Sequence, residues 1–144
     1  MIEELPARAC HELRAKDPQV LLIDVRSPEE FAQGHPAGAL NVPLAFMGAS
    51  GMSMNPDFRR AVEAVAPARE RRLVLSCAAG GRSMRACELL LDAGYADLVN
   101  LSGGFNGGGR ARGEESWQSA GLPVSTDPGD RGWATLKAKS AGRP

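Results

Sequence analysis

One stretch of the 144-residue chain concentrates reactive chemistry: Cys77-Ala78-Ala79-Gly80-Gly81-Arg82-Ser83, between the apolar run Leu73 to Ser76 and a helical stripe that follows. A thiolate is the nucleophilic form of cysteine, and a thiol at the carboxyl end of a buried strand lies where open α/β sheets bind their ligands. Two alanines and two glycines leave the backbone bare, so successive N–H groups can curl inward into a nest that holds an anion. The positive end of the following helix and the Arg82 guanidinium point the same way and favour the thiolate. The segment reads as a cradle for an anion attached to, or attacked by, one sulfur. Taking Cys77 as a packing residue in a tight strand-to-helix turn accounts for the glycines but not for a bare loop followed by Arg. A Walker phosphate loop is excluded, because the Gly-Lys-Ser/Thr ending is missing.

Such a loop needs a sheet and helices to hold it. Leu5, Ala9 and Leu13 recur at intervals of four around Pro6 and predict a short helix that stops at Asp17-Pro18. Val20 to Val25 is an apolar run broken only by Asp24, as expected of a strand covered on both faces. Ser27-Pro28-Glu29-Glu30 supplies an N-cap, a Pro at the first helical position and a capping-box Glu for a helix ending near Gly34. Ala39 to Val42 predicts a weak strand, and Leu44 to Met54, with no clear period, a loop. Asn55-Pro56 caps a helix whose buried face carries Phe58, Ala61, Val62 and Val65. After the loop, Met84, Cys87, Leu90 and Leu91 form a helical stripe closed by Gly94, and Leu98 to Leu101 is a further strand. Strands alternating with helices imply an α/β fold, a central, mainly parallel β-sheet with helices on both faces. The segment after Val124 mixes Pro, Gly and charge and reads as an irregular extension.

The length suits one domain, and 43% hydrophobic with 24% charged residues is ordinary for a globular chain. Seventeen basic residues balance seventeen acidic ones, so nothing draws the chain to nucleic acid or to a membrane surface. No apolar run is long enough for a span, and the opening residues lack the pattern of a signal peptide. Three cysteines, Cys10, Cys77 and Cys87, at unpatterned spacing fit free thiols in a reducing, cytoplasmic setting. With no C-x-x-C pair and only His11 and His35, no metal site is expected and no cofactor is called for. Cys87 lies on its helix's apolar stripe as core, and Cys10 on the first helix as a half-buried residue. His35, in a Gly-His-Pro turn, suits a structural hydrogen bond better than base catalysis. Asp24 and Arg26, two apart at a strand end, suit a surface ion pair that braces neighbouring loops.

On these residues the chain resembles the rhodanese-like family of single-domain sulfurtransferases. LLIDVRSPEEFAQGHPAGALNVPL resembles the family's first signature, VLSCAAGGRS its active loop, and LSGGFNGGG with Trp117 and AGLPV its closing segment. The resemblance implies a rhodanese-like domain over residues 1–125, with 126–144 as a C-terminal extension. It also implies Cys77 as the persulfide-forming nucleophile, residues Ala78 to Ser83 as the substrate cradle, and Asp24, Arg26 and His35 in support. Three departures stand out. Pro36 follows His35 where the family commonly has Ile, Ala78 and Ala79 stand where many thiosulfate-using members carry a basic residue, and twelve residues separate Gly104 from Trp117.

Resemblance and loop chemistry agree on sulfur transfer: from thiosulfate or a persulfide to Cys77, then to cyanide, a thiol or a protein acceptor. Two other readings stay open. A phosphatase or arsenate reductase of related fold would space Cys and Arg with five residues between, and Cys77 and Arg82 have four. A sulfur-carrier or docking module could use Phe46, Met47, Met52 and Met54 as an adaptable apolar contact.

Overall fold

Along the computed structural model, which describes residues 2–107 and 114–141, the elements are β1 (Ile2–Leu5), α1 (Ala7–Lys16), β2 (Leu21–Asp24), α2 (Pro28–Gln33), β3 (His35–Pro36), β4 (Leu40–Asn41), β5 (Ala45–Gly48), β6 (Gly51–Met54), α3 (Phe58–Val65), β7 (Leu73–Ser76), α4 (Gly81–Asp92), β8 (Leu98–Leu101), β9 (Val124–Ser125) and α5 (Trp133–Ala141). Five of the strands make one parallel sheet in the order β1-β8-β7-β2-β4. β7 is central and buried throughout because both its faces are covered. On one face Leu22, Val74 and Val99 pack with Ala7 and Cys10 of α1 and Phe31 of α2. On the other, Ile23, Leu73, Leu75 and Leu98 meet Phe58 and Val62 of α3, Ala86, Cys87 and Leu90 of α4, and Trp133 and Leu136 of α5.

Local signals placed several elements well. α1 ends at Asp17. α2 begins with a complete capping box, in which the Glu30 N–H donates to the Ser27 hydroxyl and the Ser27 N–H to the Glu30 carboxylate. At the end of α4, Gly94 takes a left-handed conformation, its N–H bonding Leu91 O and that of Tyr95 bonding Leu90 O. This paired closure is what the sequence leads one to expect of a glycine there.

Five expectations are corrected. Ile2–Leu5 is an edge strand, β1, paired in parallel with β8; Glu3-Glu4 hides it from a hydrophobicity reading, and an edge strand tolerates that charge. The stretch read as a loop from Leu44 to Met54 contains an antiparallel hairpin, β5 with β6, whose Gly48 and Gly51 flank the turn. Asn55 accepts the Asp57 N–H, so the α3 helix starts behind an Asx turn with Asp57 at its N-cap. The buried stripe of α4 is Ser83, Ala86, Cys87 and Leu90, with Leu91 outside. The tail is not irregular either: β9 pairs antiparallel with β3, and α5 seals the core beside α3 with Trp133 and Leu136. That face could not be read from a segment whose apolar residues are so few.

Candidate active site

Cys77 follows β7 directly, at the carboxyl end of the central strand, and is buried. The loop after it is shaped from outside. The N–H of Phe105 donates to Cys77 O at 2.8 Å, and those of Asn106 and Gly107 donate to Ala78 O at 2.9 and 3.0 Å. In a trans peptide the N–H opposes the C=O, so tying these two carbonyls outward turns the Ala78 and Ala79 N–H groups the other way. The close approach depends on glycine. A Cβ on Gly104 would lie 2.3 Å from Ala78 O, and one on Gly103 2.1 Å from Glu115 O. Gly80 is left-handed at φ +104° as the N-cap of α4, and a Cβ there would meet Ser102 O at 2.7 Å. Gly81 faces open space, so only the first glycine of the loop is required by geometry.

The sulfur of Cys77 has two polar neighbours: the Gly80 N–H, at 3.0 Å, and the Ser83 hydroxyl oxygen, at 3.3 Å. Ser83 is fully buried and also lies 2.5 Å from Asn100 Oδ1. No side chain caps α4, so the first-turn N–H groups of Gly81, Arg82 and Ser83, which have no carbonyl partner within their own helix, add to the cradle.

Arg82 departs from expectation. Its guanidinium is turned to Glu30 of α2 in a two-pronged pair at 2.7 and 3.0 Å, rather than standing free over the loop. Glu30 is thereby held at about 2, chiefly by the Arg82 hydrogen bonds with help from Ser27, against the cost of its burial. The Arg82 guanidinium is pushed up, first by the Glu30 bond and then by the charges of Glu30, Cys77 and Asp24, against its own burial. Arg82 thus clamps the start of α4 to α2 while adding positive potential near the sulfur.

Asp24 and Arg26 form a buried ion pair, not a surface one. Arg26 meets both carboxylate oxygens at 2.8 to 3.1 Å, donates to Gly34 O at 2.6 Å and lies 4.5 Å over the Phe105 ring. The pair therefore ties the turn after β2 to the Gly34 turn and to the segment that grips Cys77. His35 is buried, stacked on Phe31 at 3.6 Å with its Nδ1 2.7 Å from Phe31 O. It shapes the turn behind Arg26. Cys10 and Cys87 are also buried, and burial pushes each thiol up to about 12. Among the described residues no cluster of His, Cys, Asp and Glu could hold a metal, and no helix is long and apolar enough to cross a membrane.

Beside the loop a polar cleft of about 180 Å³ is lined by Arg26, Glu30, Gly34, Phe105, Asn106 and Gln118. Larger hollows lie away from Cys77, two of about 370 Å³ along α1 and near α5 and one of about 200 Å³ between Phe31 and Trp133. Sequence reasoning missed Glu30, Asn100, Phe105 and Asn106 as parts of the site. Glu30 carried a helix-start signal that masked its second role, and Asn100 is the one polar residue in the strand LVNL. The insert between Gly104 and Trp117 is described only in part; residues 108–113 lie outside the described residues.

Residues 7–111 match the Rhodanese-like domain family. The chain belongs to that family. It is 42% identical over 102 residues to Thiosulfate sulfurtransferase 16, chloroplastic, of Arabidopsis thaliana, covering 71% of this chain and 77% of that one. A protein of Allochromatium vinosum named Sulfurtransferase is 30% identical over 129 residues, covering 90% of this chain and all of that one. Protein HIGH ARSENIC CONTENT 1, mitochondrial, of Arabidopsis thaliana is 38% identical over 108 residues, and the chain spans 58% of its length. Among solved structures, that of Rv0390 from M. tuberculosis superposes with a TM-score of 0.67 at 25% identity, covering 87% of this chain and 98% of that one. The rhodanese-like fold and its parallel sheet agree with the expectation.

Proposed function

We propose that this rhodanese-like domain catalyses sulfur transfer through a persulfide on Cys77. The carrying observation is the Cys77 sulfur set at a strand end, with the Gly80 N–H 3.0 Å away and the first turn of α4 opening beside it. The thiolate attacks the outer sulfur of thiosulfate, whose S–S bond breaks with its electron pair leaving on sulfite, or the outer sulfur of a persulfide, which leaves as a thiolate. A Cys77–S–S⁻ anion remains, and the ring of N–H donors stabilises its terminal charge. Cyanide or a thiolate then attacks that terminal sulfur, the S–S bond breaks, and the Cys77 thiolate returns with thiocyanate or a new persulfide as product. With Ala78 and Ala79 neutral and Arg82 paired to Glu30, the loop offers thiosulfate no free side-chain cation, which favours a persulfide as the better donor.

Phosphatase or arsenate-reductase chemistry would need an arginine free to take two oxygens of a tetrahedral anion. Arg82 is committed to Glu30 on both prongs. The test is intact mass after incubation with thiosulfate, with a low-molecular-weight persulfide and with arsenate plus thiol, each followed by cyanide. The wild type should gain one sulfur from a sulfane donor and lose it to cyanide, and Cys77→Ser should gain none. A wild type that loads nothing from either donor, or a Cys77→Ser protein that loads as well as wild type, would overturn the assignment, and turnover of arsenate alone would replace it with the oxyanion reading.

A further inference from the structure

The hydroxyl of Ser83 has one proton and three acceptors within reach: Asn100 Oδ1 at 2.5 Å, Gly80 O at 3.2 Å and Cys77 Sγ at 3.3 Å. Asn100 leaves little choice. Its NH2 group donates to Glu4 Oε1 at 3.1 Å and to Gly80 O at 3.4 Å, both pure acceptors, so the amide cannot be turned round and its oxygen must face Ser83. Two oxygens at 2.5 Å need a proton between them, and only Ser83 can supply it. What Ser83 then shows the sulfur is a lone pair, which suits a neutral S–H but not a thiolate.

We infer that Asn100 is a positioning residue for Cys77: by holding the Ser83 proton, it withholds a second hydrogen bond from the sulfur and leaves the thiolate with the Gly80 N–H as its close donor. A thiolate with fewer donors is the stronger nucleophile and is harder to form. Topology supplies the device. Asn100 sits on β8 facing α4, and β1 pairs with it through Glu4, so the strand hidden by its charges holds the far end of the chain of bonds. Asn100 and Ser83 are both buried, where a hydrogen bond is exchanged only against another hydrogen bond and not against water.

The inference rests on the reading of Cys77 as nucleophile, but its test needs no sulfur donor. Thiolate absorbance at 240 nm and the rate of alkylation by iodoacetamide would be followed against pH in wild type, Asn100→Ala, Ser83→Ala and the double variant. Thiolate signal that is missing from a Cys77→Ser control belongs to Cys77, Cys10 and Cys87 being buried in the core. Losing Asn100 frees the Ser83 proton to turn to the sulfur. The Cys77 titration should move down by roughly half to one pH unit, and the plateau alkylation rate should fall about two- to threefold. In the Ser83→Ala background the same substitution should change neither. The charged and titratable groups around the sulfur are Arg82 and Cys87 on α4, Glu30 on α2, Asp24 on β2 and Glu4 on β1, and all are common to these four proteins. Asn100→Leu, which fills the lost volume, and Glu4→Ala on the exposed edge strand, which loosens the amide and should give a smaller Ser83-dependent shift, cover a fold that does not tolerate Ala at 100. No shift, an upward shift, or one of equal size without Ser83 would overturn the inference. A Ser83-dependent shift in a chain that loads no sulfur would instead keep Asn100's role and sink the sulfurtransferase reading.

Discussion

Cys77 and Cys87 stand ten residues apart, on either side of the same helix start, and both are buried. Cys87 packs among Leu90, Ala86 and the sheet, its sulfur making only a long contact of 3.9 Å with Val99 O, and burial pushes its thiol up to about 12. Cys77 is nearly as enclosed, yet the Gly80 N–H and an uncapped helix start converge on its sulfur. Burial is common to the two sites, and the orientation of donors is not. The donor geometry on which the proposed reactivity rests is therefore a property of backbone shape, which glycine and the grip of residues 105–107 impose.

The strongest way to break the contrast is to distort that shape without touching the sulfur. Gly80→Ala places a Cβ 2.7 Å from Ser102 O at a left-handed φ, so the N–H aimed at the sulfur must move. Cys77 loading with sulfane sulfur, followed by intact mass in single-turnover mixing, should slow on the order of 100-fold, since displacements near 1 Å at a reacting group cost that much. Gly81→Ala, which meets nothing within 4 Å, should stay within about twofold of wild type. Equal losses in the two variants would mean that loop flexibility, and not the direction of one N–H, carries the effect.

Much of this was legible beforehand, and the misses at the site have one cause. Cys77, its bare loop and the sheet that ends in it follow from strand runs and glycine chemistry, and the α2 capping box and the Gly94 closure follow from local rules. Long-range polar pairing has no local signature. That Arg82 reaches Glu30 across 52 positions, that Asn100 meets Ser83, and that Arg26 lies over Phe105 depend on which elements the sheet order brings together. The α5 helix escaped for the related reason that Trp133 and Leu136 become a face only against α3.

The Arg82–Glu30 clamp sharpens the comparison at an intermediate size, because it fixes α4, which carries both cysteines' surroundings. Glu30→Gln keeps an oxygen for the Ser27 cap but removes the charge and one of the two oxygens that Arg82 grips. Glu30 is depressed in the folded chain, from 4.5 to about 2, so its contribution is present above about pH 4.5 and fades as pH falls toward 2. Urea unfolding of both proteins should differ by about 1 to 2 kcal/mol near neutrality, after discounting for a pair partly open to solvent, and by progressively less below pH 4.5. A difference that does not change with pH would assign the loss to packing instead of charge.

The smallest effect belongs to Cys87 itself. Cys87→Ala removes one sulfur from a fully buried site where no polar group depends on it, apart from a long contact with Val99 O. What is lost is packing, so the variant should unfold with roughly 1 kcal/mol less stability, seen as a lower urea midpoint at unchanged slope. Its helix still starts at Gly80, and Ser83 still faces Cys77 one turn earlier, so the rate at which Cys77 takes up sulfur should match wild type within about twofold. Cysteine at 87 is then a small hydrophobe that happens to contain sulfur. If Cys87→Ala instead slowed loading tenfold at full folded population, the helix interior would be coupled to the loop through packing, and donor orientation alone would no longer separate the two cysteines.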